Sequence, residues 1–286
     1  MPYGFIKHIE EKGYSSETIR SYERVVTQFF AYIKSFYPDN KEPFQISSSD
    51  IKGYLKHQSE NEKSVSTINK ELAIIKTMFH YFWERDKVPV DPAVKIKRWK
   101  VKDKPSIEVP YETIELLLEK VLDNPGYSEL RKAVFILASK GLKTSDFRFK
   151  KGDVTDNIYE NTAIIQLNNR ILTLEGSGAA TFLGYYNSIA LTETDYVFTT
   201  KPHGSETLGP VEVMSILNHL RAISEDYKDL VKQPLTLVSM RRAYAFNLYE
   251  KKVPIQEIAQ ELGIEESSAS SYLKLLLEGK LIQKSS

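Results

Sequence analysis

Apolar residues in the first hundred positions recur with the 3.6-residue spacing of amphipathic helices. Over residues 16–34, Ile19, Tyr22, Val25, Val26, Phe29, Phe30 and Ile33 fall on one face, with Ser15 or Ser16 as N-cap and Glu17 in the first turn. Ser48, Ser49 and Asp50 then cap a shorter helix through Tyr54 and Leu55. A third helix starts at Ser64 or Ser66 and carries Ile68, Leu72, Ile75, Met78, Phe79 and Phe82 on one side. It ends near Asp86 and Lys87, before Pro89, and Pro92 marks irregular chain beyond it. This spacing assigns Phe29, Phe30, Phe79, Tyr81, Phe82 and Trp83 to a helical core. Arg20, Arg24, Lys70 and Lys76 lie on outer faces, either solvated or positioned to meet phosphates.

After Pro110 the pattern changes. Residues 111–122 and 129–139 read as helices, the second strongly apolar. The β-rich runs 162–167 and 170–174 flank Asn168 and Asn169, whose side chains tolerate the positive φ of a two-residue hairpin turn. Helices follow at 179–190, 211–223, 237–249, 255–262 and 266–277. The chain is therefore expected to be mainly α, with a helical domain at 1–94 and a mostly helical domain with one small antiparallel sheet at 110–286. The linker, 95–109, begins KIKRWKVKDK, setting Lys95, Lys97, Arg98, Lys100, Lys102 and Lys104 against Asp103 alone. That run is too charged to pack. It is either a solvated linker or a basic strap that closes around a polyanion.

Composition narrows the chemistry. The chain has 286 residues, 41% hydrophobic and 27% charged, enough for one large domain or two ordinary ones. It has no cysteine, which excludes disulfides, thiol catalysis and Cys-bound zinc, and its five histidines form no HxxxH or HxH pair. With no GxGxxG and no GxxxxGK[ST], neither a metal nor a nucleotide cofactor is expected. The apolar runs, such as 133–138, are too short to span a bilayer, and the N-terminus carries acids where a signal peptide has its apolar run. A cytoplasmic protein with no membrane partner is the expectation. The net charge is +1 and the pI about 7.7, so any nucleic-acid surface must be a local cluster of cations.

Three blocks resemble the tyrosine recombinase (phage integrase) family. The first is TIRSYERVVTQFFAYI with STINKELAIIKTMFHYFWERDKVPVDPAVKIK, similar to that family's core-binding domain. The second, GLKTSDFRFKKGDV, resembles GLRxSELxxLxxxD. The third, LVSMRRAYAFNLYEKKVPIQEIAQELGIEESSASSYL, resembles HxLRHTFAT followed by LLGH and the nucleophilic tyrosine. The resemblance implies a two-domain recombinase fold acting on double-stranded DNA. In that chemistry a tyrosine hydroxyl attacks a phosphodiester, two arginines grip the nonbridging oxygens through paired hydrogen bonds, and a hairpin lysine protonates the leaving oxygen. Two His, or His and Trp, positions complete the shell.

Carried over residue by residue, the match is mixed. Lys143 stands at the first arginine and Arg241 at the second, with Arg242 just after it. Val238 and Ile264 replace the two histidines and are expected in the core. The hairpin lysine has no clear counterpart, although Arg170 is close. Tyr272 is present, one residue nearer the LGH block than usual, and an offset of one residue rotates a helical side chain by about 100°. The resemblance thus assigns phosphate contact to Lys143, Arg241, Arg242 and Arg170, with the strap residues Lys97, Arg98, Lys100 and Lys102 beside them. Tyr272 is catalytic only if the chain still cuts.

The tail also reads as a helix-turn-helix: 255–262, a turn at Gly263, then a helix with Ala269, Tyr272 and Leu273 inward, ended by Gly279. Ser267, Ser268, Ser270 and Ser271 then face outward. The apolar stretch 273–277 with Leu281 and Ile282 suits docking on a second copy, so self-association on DNA is expected. The leading expectation is a sequence-specific DNA-binding protein without efficient strand cleavage, a regulator or transcriptional repressor from a phage or other mobile element. The alternatives are a divergent integrase using Tyr272 and a structural or protein-interaction role. Neither the DNA site nor any protein or peptide antagonist is written in the sequence.

Overall fold

The computed structural model describes residues 2–37, 41–100, 107–157, 160–201, 204 and 206–284. The chain divides into two compact units, Met1–Asp103 and Lys104–Ser286.

The first unit holds four α-helices among the described residues: α1 (Phe5–Glu11), α2 (Ser16–Phe36), α3 (Ser48–Glu60) and α4 (Val65–Glu84). The apolar periodicity forms α2 and α4, and Ser15 and Ser64 cap them by accepting the backbone N–H of Thr18 and Thr67. For α3 the cap is Ser47 rather than Ser48. Asp50 completes a capping box by accepting the Ser47 N–H at 2.7 Å, a geometry only the first serine permits. Helix α1, too short to announce itself by period, buries Phe5, Ile6 and Ile9. The core gathers Phe29, Phe79, Phe82 and Tyr54, with Phe30 packed at its edge. Trp83 departs from expectation: it is 48% exposed and stacks on His80, one helical turn back on the outer face of α4.

The second unit opens with α5 (Tyr111–Asp123) and α6 (Glu129–Ser139), the latter buried through most of its length. A three-stranded antiparallel sheet follows in the order β1 (Val154–Asn157), β2 (Thr162–Leu167), β3 (Arg170–Glu175). Leu167 pairs with Arg170, so Asn168 and Asn169 form the expected two-residue turn. Neither has positive φ, however, so the turn does not use the left-handed tolerance of asparagine. Beyond α7 (Gly176–Ser188), the short pair β4 (Thr199–Thr200) and β5 (Gly209–Pro210) leads to α8 (Val213–Asp226), α9 (Leu237–Glu250), α10 (Ile255–Leu262) and α11 (Glu266–Lys284). Gly263 closes α10 in the left-handed conformation (φ 59°). Gly279 does not end α11. It is buried within the helix, which packs through Ala269, Leu273 and Leu276 and carries the helix cost of glycine, about 1 kcal/mol. Among the described residues, no helix is long and apolar enough to cross a membrane.

Candidate functional site

The turn after α6 organises the site. Gly141 adopts φ 72°, and a Cβ there would lie 2.8 Å from Tyr244 Cδ1, so the backbone can pass α9 closely only as glycine. Two consecutive carbonyls of this turn receive two guanidinium groups. Arg241, on α9, donates Nη1 to Gly141 O at 2.6 Å and Nη2 to Leu262 O at 2.5 Å. Arg170, first residue of β3, donates Nη2 to Lys140 O at 3.1 Å. The residue is only 8% exposed, and its Nε and Nη1 are buried without a hydrogen-bond partner.

Burial lowers the pKa of both arginines. Asp146 opposes this at Arg170, while the positive charge of Arg241 adds to it; Tyr272 and Asp146 oppose it at Arg241. Both groups nevertheless stay charged near neutrality. A buried cation, Arg170, and a half-buried one, Arg241, thus stand near each other with carbonyls as their hydrogen-bond acceptors and, among the described residues, no carboxylate bonded to either. That arrangement suits a multivalent anion.

The other assigned residues border this pair. The Lys143 backbone N–H donates to Asp146 Oδ2 at 3.1 Å, and its ammonium lies 4.0 Å from Asp146 Oδ1. Arg242 donates Nη1 to Glu108 Oε1 at 2.9 Å. Tyr272 is half-buried on α11: burial raises its phenol pKa, and the positive charges of Arg241 and Arg242 partly oppose that rise. The phenol is therefore protonated at neutral pH and near both arginines. Ile264 packs against the core. Val238 does not. It is 57% exposed in the first turn of α9, because Ser239 and Met240 take the buried positions there. The structure therefore brings Arg170, Arg241, Arg242 and Tyr272 into one neighbourhood and leaves an alkyl side chain open to solvent one turn before Arg241.

In the first unit, Arg20, Arg24 and Lys70 line a single groove of about 580 Å³ with Ser21 and Ile74. Lys76 donates instead to Val94 O. The strap is less free than its charge suggested. Ile96 is buried, and Asn69 fixes Trp99 by donating to its carbonyl at 2.9 Å and accepting its N–H at 2.8 Å. Two apolar residues among the cations anchor the segment, leaving Lys97, Arg98 and Lys100 exposed. Lys102 lies outside the described residues. Among those residues no cluster of His, Asp or Glu could hold a metal. Sequence reasoning missed Glu108; its only signal is an acid alternating with Ile107 and Val109 just after the basic run.

Residues 4–86 match the family model described as phage integrase, N-terminal SAM-like domain. The chain is 25% identical to a protein named as a tyrosine recombinase in Caldanaerobacter subterraneus subsp. tengcongensis, over 95% of this chain and 91% of the relative. It is 24% identical to tyrosine recombinase XerD of Listeria monocytogenes, over 89% and 86%. Along most of its length the chain is similar to tyrosine recombinases, and its first unit to the N-terminal SAM-like domain of phage integrases. Its fold matches that of the Tn1549 transposon integrase in complex with a circular intermediate DNA, with a TM-score of 0.69 at 15% identity, covering 93% of this chain and 92% of that one. It also matches a lambda integrase dimer bound to a core site (TM-score 0.65, 13% identity, 94% and 92% covered). On this recombinase fold, the first block quoted above lies on α2 and α4, the second runs from the Gly141 turn to the start of β1, and the third spans α9, α10 and the first half of α11.

Proposed function

We propose that this recombinase-fold chain binds double-stranded DNA, holds a backbone phosphate at the Arg241–Arg170 pair, and cuts that DNA poorly or not at all. One observation carries the reading. The exposed side chain one turn before Arg241 is the alkyl group of Val238, at a position where the family's chemistry needs a proton donor or acceptor. Loss of one preorganised donor costs roughly 100- to 1000-fold in rate. Here Val238 and Ile264 donate nothing, and Lys143 lacks the bidentate fork. Phosphate binding asks less, because two guanidinium groups suffice to hold an anion. On this reading the first unit serves as the core-binding domain, with the groove of Arg20, Arg24 and Lys70 and the exposed Lys97, Arg98 and Lys100 facing phosphates. Self-association on DNA is in keeping with the dimeric lambda integrase complex. A DNA-binding chain stripped of cleavage has regulation as its remaining use, so a repressor of a phage or mobile element is the assigned role.

A second reading has its own support: Tyr272 lies in the field of Arg241 and Arg242, as a phosphate-attacking tyrosine must. A suicide DNA substrate separates the two. The DNA-binding reading expects salt-sensitive gel-shift complexes that carry no covalent adduct. An adduct that disappears in Tyr272→Phe establishes a divergent recombinase instead.

A further inference from the structure

We infer that Glu108 is a built-in competitor for phosphate at Arg242, a carboxylate that DNA must displace before Arg242 can join the Arg241–Arg170 pair in holding the backbone. The inference rests on the DNA-binding reading above and adds how the site is regulated. Glu108 lies between Ile107, partly buried against the core, and Val109, buried in it. Those two anchors hold the alternate residue out of the core, and its Oε1 accepts Arg242 Nη1 at 2.9 Å. Both side chains of the pair are partly shielded from solvent, 21% exposed at Arg242 and 30% at Glu108.

The geometry has a chemical consequence. Carboxylate and phosphate oxygens bind the same N–H groups of a guanidinium. A phosphate approaching the Arg241–Arg242 end of α9 finds Arg242 already engaged and a negative charge beside it. Glu108 must swing away or repel the incoming anion, and either outcome weakens binding. A hydrogen-bonding but uncharged side chain at 108 removes both penalties. Because the pair is partly exposed, the effect is modest: a gain of roughly 3- to 10-fold in affinity for duplex DNA at low salt, shrinking as salt screens the repulsion. The carboxylate also makes the clamp selective, since a ligand with a single weak negative charge gains little by exchanging with Glu108, whereas a phosphodiester flanked by others gains through the rest of the contact surface.

The test measures the affinity of the full chain for a mixed-sequence duplex of about 30 base pairs at low ionic strength, where phosphate contacts dominate and no particular site is needed. Four proteins are compared: wild type, Glu108→Gln, Arg242→Ala and the double variant. Glu115→Gln, which removes an equal charge beside Lys251, is the control for net charge. The expected result is tighter binding by Glu108→Gln, little change in Glu115→Gln, and no gain from Glu108→Gln once Arg242 is alanine. Equal binding by wild type and Glu108→Gln overturns the inference while leaving DNA binding intact. Equal gains in Glu115→Gln or in the Arg242→Ala background reduce it to bulk electrostatics and also overturn it. Absence of binding by every protein overturns the DNA-binding reading and the inference together.

Discussion

Arg241 and Arg170 grip consecutive carbonyls, those of Gly141 and Lys140, from α9 and β3 respectively. One turn is thereby tied to the sheet on one side and to the C-terminal helices on the other, and Arg241 extends the tie to Leu262 at the end of α10. The cations of the proposed clamp are therefore also structural.

Removing Arg241 is expected to lower stability as well as DNA affinity. Its two charge-assisted hydrogen bonds to buried carbonyls would be lost, at about 1.5–3 kcal/mol each before relaxation. Arg241→Ala should cost about 2–4 kcal/mol in a denaturant melt. Arg242→Ala, which breaks a partly exposed pair, should stay within about 1 kcal/mol of wild type. Equal losses in the two variants would contradict the structural role of Arg241.

Gly263 carries a different constraint. At φ 59°, an added Cβ would lie 3.3 Å from Asn169 Cβ and 3.5 Å from Arg170 Cγ. Gly263→Ala should cost about 1–2 kcal/mol from the left-handed backbone alone, plus the crowding of the hairpin turn. Adding Asn169→Gly should recover the crowding component only, which a melting comparison of single and double variants measures.

The first unit holds a buried carboxylate at Glu71. Tyr54 donates to its Oε2 at 2.9 Å and Lys63 to its Oε1 at 2.7 Å, and burial followed by the Glu71 charge pushes the Tyr54 phenol pKa far up. Lys63→Ala strips the positive partner from a buried anion and should cost about 2–4 kcal/mol, discounted for the partial exposure of the lysine. Lys56→Ala, which breaks an exposed pair with Glu60, should be close to neutral in the same melt.

Asp50 gives the chain an acid-sensitive joint. Burial alone would raise its pKa, but hydrogen bonds from Lys41, Tyr37 and Ser47 outweigh this and hold it at about 2, below the usual 3.8. A depressed carboxyl contributes stability that is fully present above its unfolded value and is lost as pH falls toward the folded one. Stability should therefore decline between pH 3.8 and about 2. Asp50→Asn should be less stable at neutral pH and lose that part of the decline, as read from acid-titration melts.

Much of this architecture was legible in the sequence because burial imposes a period. Phe29, Ile33, Leu72 and Phe79 mark their helices, and the hairpin register follows from the two residues between its strands. Features set by long-range geometry were not legible. Which of three serines caps α3 depends on the reach of Asp50. β1 reads as polar because only Val154 of its four residues is even partly buried. The motif match locates position 238 but not the side of α9 it faces, so it places Val238 in a core that the side chain does not enter. Glu108 meets Arg242 across 134 residues of sequence, a pairing that no local pattern encodes.

The double duty of Arg241 also separates two kinds of change at this site. A substitution there disturbs the turn, α9 and α10 together, so the fold itself maintains the guanidinium whether or not any bond is cut. Val238 is bound by no such obligation: its side chain is 57% exposed at the start of α9. The side chain at this open position can therefore change at little structural expense, and on the DNA-binding reading a histidine placed there would put a proton donor beside the proposed phosphate clamp.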